Sequence, residues 1–207
     1  MPNLKPKRGR PATIDTDTAM QSVVELFRSK GFDAVSLDDL SDATGLSRPS
    51  LYRAFGNKLS MYIAAMDEFG TQVATTAVPA LHAADDLETA LTDFYAAMLS
   101  IYYRDSQVPP GCLVFGTAPS SADEVKIQSR LKFGLEQLDE LMRLRILKSA
   151  PNSSANQIET AAHVASNTLV AFSARAKSGA PKKELVAMGA QTAKSITSLL
   201  KLERSAG

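Results

Sequence analysis

The 207-residue chain has one cysteine, no tryptophan and two histidines. A lone Cys112 excludes an intrachain disulfide and any cysteine-based zinc site. His82 and His163 do not form an H-E-x-x-H helix, and Glu159 with His163 gives only one of the two Glu/His pairs that a di-iron bundle needs. No P-loop or G-x-G-x-x-G occurs, so no enzyme, metal or cofactor is expected. Long apolar runs are also missing. The longest uncharged stretches, 106–122 and 69–84, carry Pro, Gly, Ser or Thr and fall short of the roughly 18 apolar residues of a membrane span. The basic amino end runs into Asp15 and Asp17 rather than an apolar segment, unlike a secretory signal, and a cytoplasmic location with no membrane partner is expected.

What is present is a globular composition, 44% hydrophobic and 22% charged, with enough apolar residues for a core. The net charge of +1 hides a strong asymmetry. Residues 1–14 hold Lys5, Lys7, Arg8 and Arg10 with no acid, whereas 61–105 hold Arg104 against seven acids. A basic arm of this kind is either a nucleic-acid contact or a solvated tail.

Apolar residues from Ala19 to Phe27 follow the i, i+3, i+4, i+7 pattern of a helix that Gly31 ends. Ser36-Leu37-Asp38-Asp39 reads as a capping box opening a short second helix through Leu37, Leu40 and Ala43. Gly45 supplies a turn, Ser47 caps a third helix with Pro49 in its first turn, and Leu51, Tyr52 and Phe55 form its expected buried face. Gly56-Asn57 ends it and caps a fourth helix that runs to Pro79. Asp85 with Glu88 predicts another capping box, before a helix through Tyr102. Amphipathic stretches follow at about 121–147, 155–178 and 182–203. No period-2 strand appears, so the fold class is all-α: three short amino-terminal helices and a carboxyl-terminal antiparallel bundle, about nine helices in total.

A capped helix, a glycine turn and a second capped helix within about twenty residues match the helix-turn-helix plan, whose second helix enters a DNA major groove. An ordinary αα-corner with a solvated face fits the same pattern. Residues 47–58 contain Arg48, Arg53 and Lys58 and no acid. Arg48 is suited to bidentate pairing with guanine, Ser50 to a base edge or phosphate, and Tyr52 and Lys58 to phosphates.

The run Gly31-Phe32-Asp33-Ala34-Val35-Ser36 resembles the entry to the second helix in the TetR family of bacterial transcriptional regulators. Ala43-Thr44-Gly45-Leu46-Ser47, continuing through Leu51-Tyr52 and Phe55 to Lys58, is similar to that family's A-x-G-[VL]-S-x-x-x-[LI]-Y-x-x-F-x-x-K signature. Ala54 departs from the polar residue often found before the Phe, which removes a phosphate contact there. The resemblance implies an arm over 1–12, a DNA-binding domain over 13–73 and a ligand-binding and dimerisation domain over 74–207. It implies a homodimer on a palindromic double-stranded operator, released by a small-molecule effector, with repression as the family norm. Ser36, Thr44, Ser47, Arg48, Pro49, Ser50, Tyr52, Arg53 and Lys58 fall at its DNA-facing positions. Arg8-Gly9-Arg10-Pro11 resembles an AT-hook, in which arginines lie in a narrow minor groove. The alternative function is a helical module binding a small molecule or protein without reading DNA.

In the bundle, Met66, Phe69, Phe94, Met98 and Tyr102 are candidate linings for an apolar or aromatic effector, as are Phe115, Phe133 and Phe172; core packing explains each equally well. His163 and Asn167, four apart on one helix, are candidate polar anchors. The resemblance places the dimer interface on the last two helices, at Ala161, Ala165, Gly189, Ala193, Ile196 and Leu200, although intrachain packing would give the same small-residue pattern. Cys112 reads either as a reactive sensor or as a small apolar group in a structural turn.

Overall fold

The computed structural model describes residues 15–104 and 109–202, which form ten α-helices and no strand. Three short helices come first: α1 (Thr16–Lys30), α2 (Leu37–Thr44) and α3 (Arg48–Phe55). Then follow α4 (Lys58–Thr76), α5 (Val78–Ala83), α6 (Leu87–Tyr102), α7 (Leu113–Thr117), α8 (Val125–Ser149), α9 (Ala155–Lys177) and α10 (Lys182–Leu202). A 3-10 turn, Ala118–Ser121, joins α7 to the segment before α8. The expected arm, with Arg8 and Arg10, lies outside the described residues.

Local side-chain chemistry sets most of the boundaries. Asp15, Ser36, Ser47, Asn57 and Ser154 each accept a hydrogen bond from a backbone N–H in the first turn of the helix that follows. Gly45 has φ 68°, a left-handed conformation that turns the chain from α2 into α3 and that L side chains rarely adopt. Two boundaries differ from expectation. Asp86, not Asp85, caps α6 by accepting from the Thr89 amide at 2.9 Å. Helical structure also restarts at Val78, because Pro79 sits in the first turn of α5, where its missing N–H leaves no intrahelical bond unmade.

The densely buried α6 forms the centre of the bundle, with nine buried residues from Leu87 to Tyr102. Against it pack α5, α9 and α10, while α8 lies along α9. At the amino end α1 packs on α2 and α4, and α7 touches α1, α8 and α9, joining the first helices to the bundle.

The residues expected at the dimer interface belong to this monomer core. Ala161, Ala165 and Ala193 are fully buried, and Ile196 and Leu200 are nearly so. Gly189 has its packing reason within the chain: a Cβ there would stand 3.1 Å from the Tyr95 Cβ and 3.5 Å from the Phe172 ring. Among the described residues, the large apolar side chains left exposed on α9 and α10 are Val164, Met188 and Leu199.

Two arginines are buried and bonded chiefly to main-chain carbonyls. Arg145 donates from Nε to Leu81 O at 2.9 Å and from Nη2 to Ala84 O at 2.9 Å, tying α8 to the α5–α6 turn. Arg28 joins α1 to the end of α6 and to the loop before α7, donating to Ile101 O at 3.0 Å and to Gly111 O at 2.8 Å. Such bonds offset the cost of removing a guanidinium from water.

Candidate DNA-reading and effector-binding sites

The amino-terminal helices present one exposed surface. Of α3 only Leu51 is buried, so Tyr52 is not the core residue its helical position suggested; it is 48% exposed on the outer side. Arg48 and Arg53 are exposed as well, and Ser50 is partly so. Ser47 fixes the start of the helix, its hydroxyl lying 3.0 Å from that of Ser50. Pro49 stands in the first turn, exposed.

Arg48 already has a partner across the turn. Its Nε donates to Asp38 Oδ1 at 2.8 Å and its Nη2 donates to the same oxygen. Both side chains are more than half exposed, so the pair is weak and readily exchanged for another acceptor. Ser36 and Thr44 are more committed. The Ser36 hydroxyl donates to Asp39 Oδ2 at 2.5 Å and accepts from the Asp39 amide, completing a capping box. The Thr44 hydroxyl donates to Leu40 O at 2.7 Å and accepts from the Leu46 amide. Lys58 turns inward: its Nζ donates to Val35 O at 2.8 Å and lies 4.5 Å from the Phe32 ring centroid. Both contacts fasten the start of α4 to the α1–α2 loop.

Asp39 concentrates the local electrostatics. The Lys30 ammonium, 2.5 Å away, is the main reason its carboxyl is held well below the ordinary value of 3.8, with the Ser36 hydroxyl and amide adding to the effect. Asp39 therefore remains an acceptor in acid, which keeps the N-terminus of α2 closed.

The bundle contains a cavity of about 550 Å³ between α4, α6, α8 and α9, within the usual size of a small-molecule pocket. Of the residues named as candidate linings, Met66, Phe69, Phe94, Met98, Phe115 and Phe133 line it. The other four expected residues do not. Tyr102 is fully buried behind the lining, beside Cys112, Phe172 packs edge-on against Tyr95 with centroids 5.7 Å apart, and His163 and Asn167 face outward on α9. Helical spacing alone does not say which side of α9 faces α6. Lining residues not expected from the sequence include Asp67, Thr71, Arg130, Gln137, Leu138, Leu141 and Leu169. The amphipathic stripe Leu131, Leu138, Leu141 offered a signal for the α8 wall, whereas Gln137 offered none.

Cys112 also lines this cavity, next to Arg28's acceptor Gly111. Its thiol is buried, which pushes its pKa up, and its sulfur accepts from the Phe115 amide at 3.4 Å. These surroundings keep the thiol protonated and fit the structural reading of the turn. Among the described residues, no group of three His, Cys, Asp or Glu side chains is placed to hold a metal, and no helix is long and apolar enough to cross a membrane.

Residues 21–65, covering α1–α3 and the start of α4, match the family model for bacterial regulatory proteins of the tetR family. The chain is 33% identical over 131 residues to the HTH-type transcriptional repressor ComR of Escherichia coli, an alignment covering 62% of each protein. It is 39% identical over 71 residues to the HTH-type transcriptional repressor BdcR of the same organism, covering 34% of each. The matched part thus spans less than two thirds of these curated relatives. Along the whole fold the chain is similar to a cysteine-substituted variant of the TetR family regulator CifR, solved with 26-base-pair operator DNA. That likeness has a TM-score of 0.79 at 23% identity and covers 90% of this chain and 98% of the other. With its signature residues carried on an exposed helix-turn-helix and its all-helical bundle behind them, the chain resembles the tetR-type bacterial regulatory proteins, in sequence over residues 21–65 and in fold along most of its length.

Proposed function

We propose that the protein is a ligand-responsive transcriptional repressor of the bacterial cytoplasm, which binds a palindromic operator as a homodimer and leaves it when a small molecule fills the bundle cavity. The observation that carries this reading is α3: an exposed helix with a Ser cap, no acid of its own, and Arg48, Ser50, Tyr52 and Arg53 on its accessible surface. A helix of this kind reads base edges through its first residues, with Arg48 on guanine and Tyr52 and Arg53 on phosphates. Residues 13–73 would be the DNA-binding part, with Arg8 and Arg10 of the arm in the minor groove, and 74–207 the effector-binding and dimerising part. Repression follows ComR and BdcR, both named as repressors.

The dimer face we assign to the exposed apolar residues of the last two helices: Val164 on α9 with Met188 and Leu199 on α10. Met188 and Leu199 are eleven residues apart, three helical turns along one stripe. Release is a coupling between two sites, in which ligand favours a packing that spaces the two recognition helices wrongly for successive major grooves.

The test is selection of bound fragments from random duplex DNA by the purified protein at two salt concentrations. Recovery of a palindrome with half-sites about one helical turn apart supports the proposal. Binding that is sequence-blind at both salts overturns it in favour of a helical binding module that does not read DNA.

A further inference from the structure

The cavity has two unlike ends. Its inner wall is made by Phe94 and Met98 of α6, Leu169 of α9 and Phe69 of α4, all buried and all apolar. Its outer end opens between α4 and α8, where Asp67, Thr71, Arg130 and Gln137 supply the polar lining. Asp67 and Arg130 satisfy each other across this gap, with Arg130 Nη2 2.7 Å from Asp67 Oδ2. The Arg130 guanidinium carbon also lies 5.8 Å from the Phe133 ring centroid, so the arginine lies along the rim.

We infer that the effector is an uncharged, largely hydrocarbon or aromatic molecule with a single hydrogen-bonding end, which enters between α4 and α8 past the Asp67–Arg130 ion pair. The inference rests on the proposed regulator reading and deepens it by naming the ligand class.

Charge balance is the first argument. Asp67 and Arg130 are the ionised pair in the described lining, and each neutralises the other. Cys112, deeper in, stays a neutral thiol because burial raises its pKa. An ionised group carried to the inner wall would lose its hydration and meet no charge in that lining; Arg28, behind Phe69, is already bonded to Glu25, Ile101 O and Gly111 O, so apolar contacts do not recover the cost. Placed at the rim, it would exchange its own hydration and one weak, half-exposed pair for another and gain little.

The second argument concerns the polar end. Thr71 donates its hydroxyl proton to Asp67 O at 3.1 Å and keeps acceptor capacity. The Gln137 side chain makes no hydrogen bond with the described residues, and it offers both a donor and an acceptor at the rim. One hydroxyl, carbonyl or amide on a ligand matches that supply. Several polar groups along its length would meet only Phe, Met, Val and Leu side chains.

The entrance is open for a physical reason. Asp67 and Arg130 are 52% and 36% exposed, so their pair is screened by water and separates easily. Beside them Gly70 leaves room, since a Cβ there would meet nothing within 4 Å. Side chains on a helix lean toward the preceding turn, so a larger residue at 70 would project over Met66 and Asp67 into this gap.

The experiment uses the full chain with the neutral dye N-phenyl-1-naphthylamine, whose fluorescence reports an apolar site. It is displaced at neutral pH by three ligands sharing one ring system: 1-naphthalenemethanol, 1-naphthoate and 1-naphthylmethylammonium. The expected result is that the alcohol displaces dye at least tenfold more effectively than either ion. An ion as effective as the alcohol, or a dye that does not bind, overturns the inference. Gly70→Leu is expected to weaken dye binding at least fivefold, and Leu141→Phe, reducing the same space from α8, serves if the first variant melts abnormally. Undiminished dye binding in a folded variant also overturns it. Selection of duplex DNA is run in parallel: if no operator is recovered while the alcohol displaces dye as expected, the regulator reading fails and the ligand class stands. If an operator is recovered and an ion wins, the ligand class alone fails.

Discussion

Arg28→Met tests whether the helix-turn-helix is fastened to the cavity wall through one buried guanidinium. Arg28 is fully buried on α1; Nε and Nη2 both reach Gly111 O, at 3.3 and 2.8 Å, and Nη2 also reaches Ile101 O at 3.0 Å. Its carbon stands 5.1 Å from the centroid of Phe69, a cavity residue, and Gly111 adjoins Cys112, another. Methionine keeps most of the volume and removes every donor. Gly111 O then loses both of its guanidinium donors, and Ile101 O loses the Arg28 donor that stands closer than the Arg104 amide at 3.5 Å. A buried acceptor left without a partner costs about 1–3 kcal/mol, and relief of guanidinium desolvation returns part of that. A net loss of about 2 kcal/mol is expected, which at about 2–4 °C per kcal/mol in a chain of this size lowers the melting temperature by about 4–8 °C. The variant should also show a smaller effect of cavity ligand on DNA affinity, because the connection from the Phe69 and Cys112 wall to α1 is cut. Thermal melting followed by DNA titration with and without N-phenyl-1-naphthylamine measures both. A melting temperature within about 1 °C of wild type, with ligand response intact, would refute the reasoning.

Five other perturbations bear on the site. Arg48→Ala should relax sequence preference at one operator position and cost about 1–3 kcal/mol there, whereas Asp38→Asn, which frees Arg48, should tighten DNA binding; titrations on selected and scrambled duplexes decide. Lys58→Ala should lower the melting temperature by a few degrees, leaving Val35 O short of a donor, and should change the salt slope of DNA binding by less than about one unit; a full unit at unchanged melting would place Lys58 on a phosphate instead. Because the Asp39 carboxyl is held below 3.8 in the folded chain, its contribution to stability is present above about pH 4 and is lost as pH falls further, so melting wild type and Asp39→Asn at about pH 7 and pH 3 should show the difference between them shrinking in acid. Cys112, buried and with its thiol pushed up, should react with iodoacetamide at least about a hundredfold more slowly in the native than in the unfolded chain, and equal rates would restore the sensor reading.

The parts of the structure legible in sequence are those decided within a few residues. Ser36, Ser47 and Asn57 could be read as caps because each acts on a backbone amide three residues on, and Gly45 as a turn because its conformation is local. The Asp85 and Asp86 doublet offered two caps of equal chemistry, of which the second accepts from the Thr89 amide. Relations between distant helices were less legible. Whether Ala161 and Ala193 face a partner chain or α6 depends on how α9 and α10 are rotated, which small residues do not specify. Arg28 lies four residues after Val24 on the apolar side of α1, the one sequence sign that a charge enters the core, but apart from Glu25 its acceptors are main-chain carbonyls more than seventy residues away. Of the cavity, the aromatic and Met lining was visible as helical stripes. The polar rim of Asp67, Arg130 and Gln137 takes its meaning only from the approach of α4 to α8.

Two copies of α3 are expected to read one palindrome. Sedimentation of the protein with a duplex recovered by selection measures this directly, at a salt concentration where scrambled duplex is not bound. Two chains per palindrome, with half-site centres about one helical turn apart and loss of the complex in Met188→Glu/Leu199→Glu, is the result the account predicts. A single chain per duplex would contradict it, as would a complex that survives both substitutions with two chains still bound.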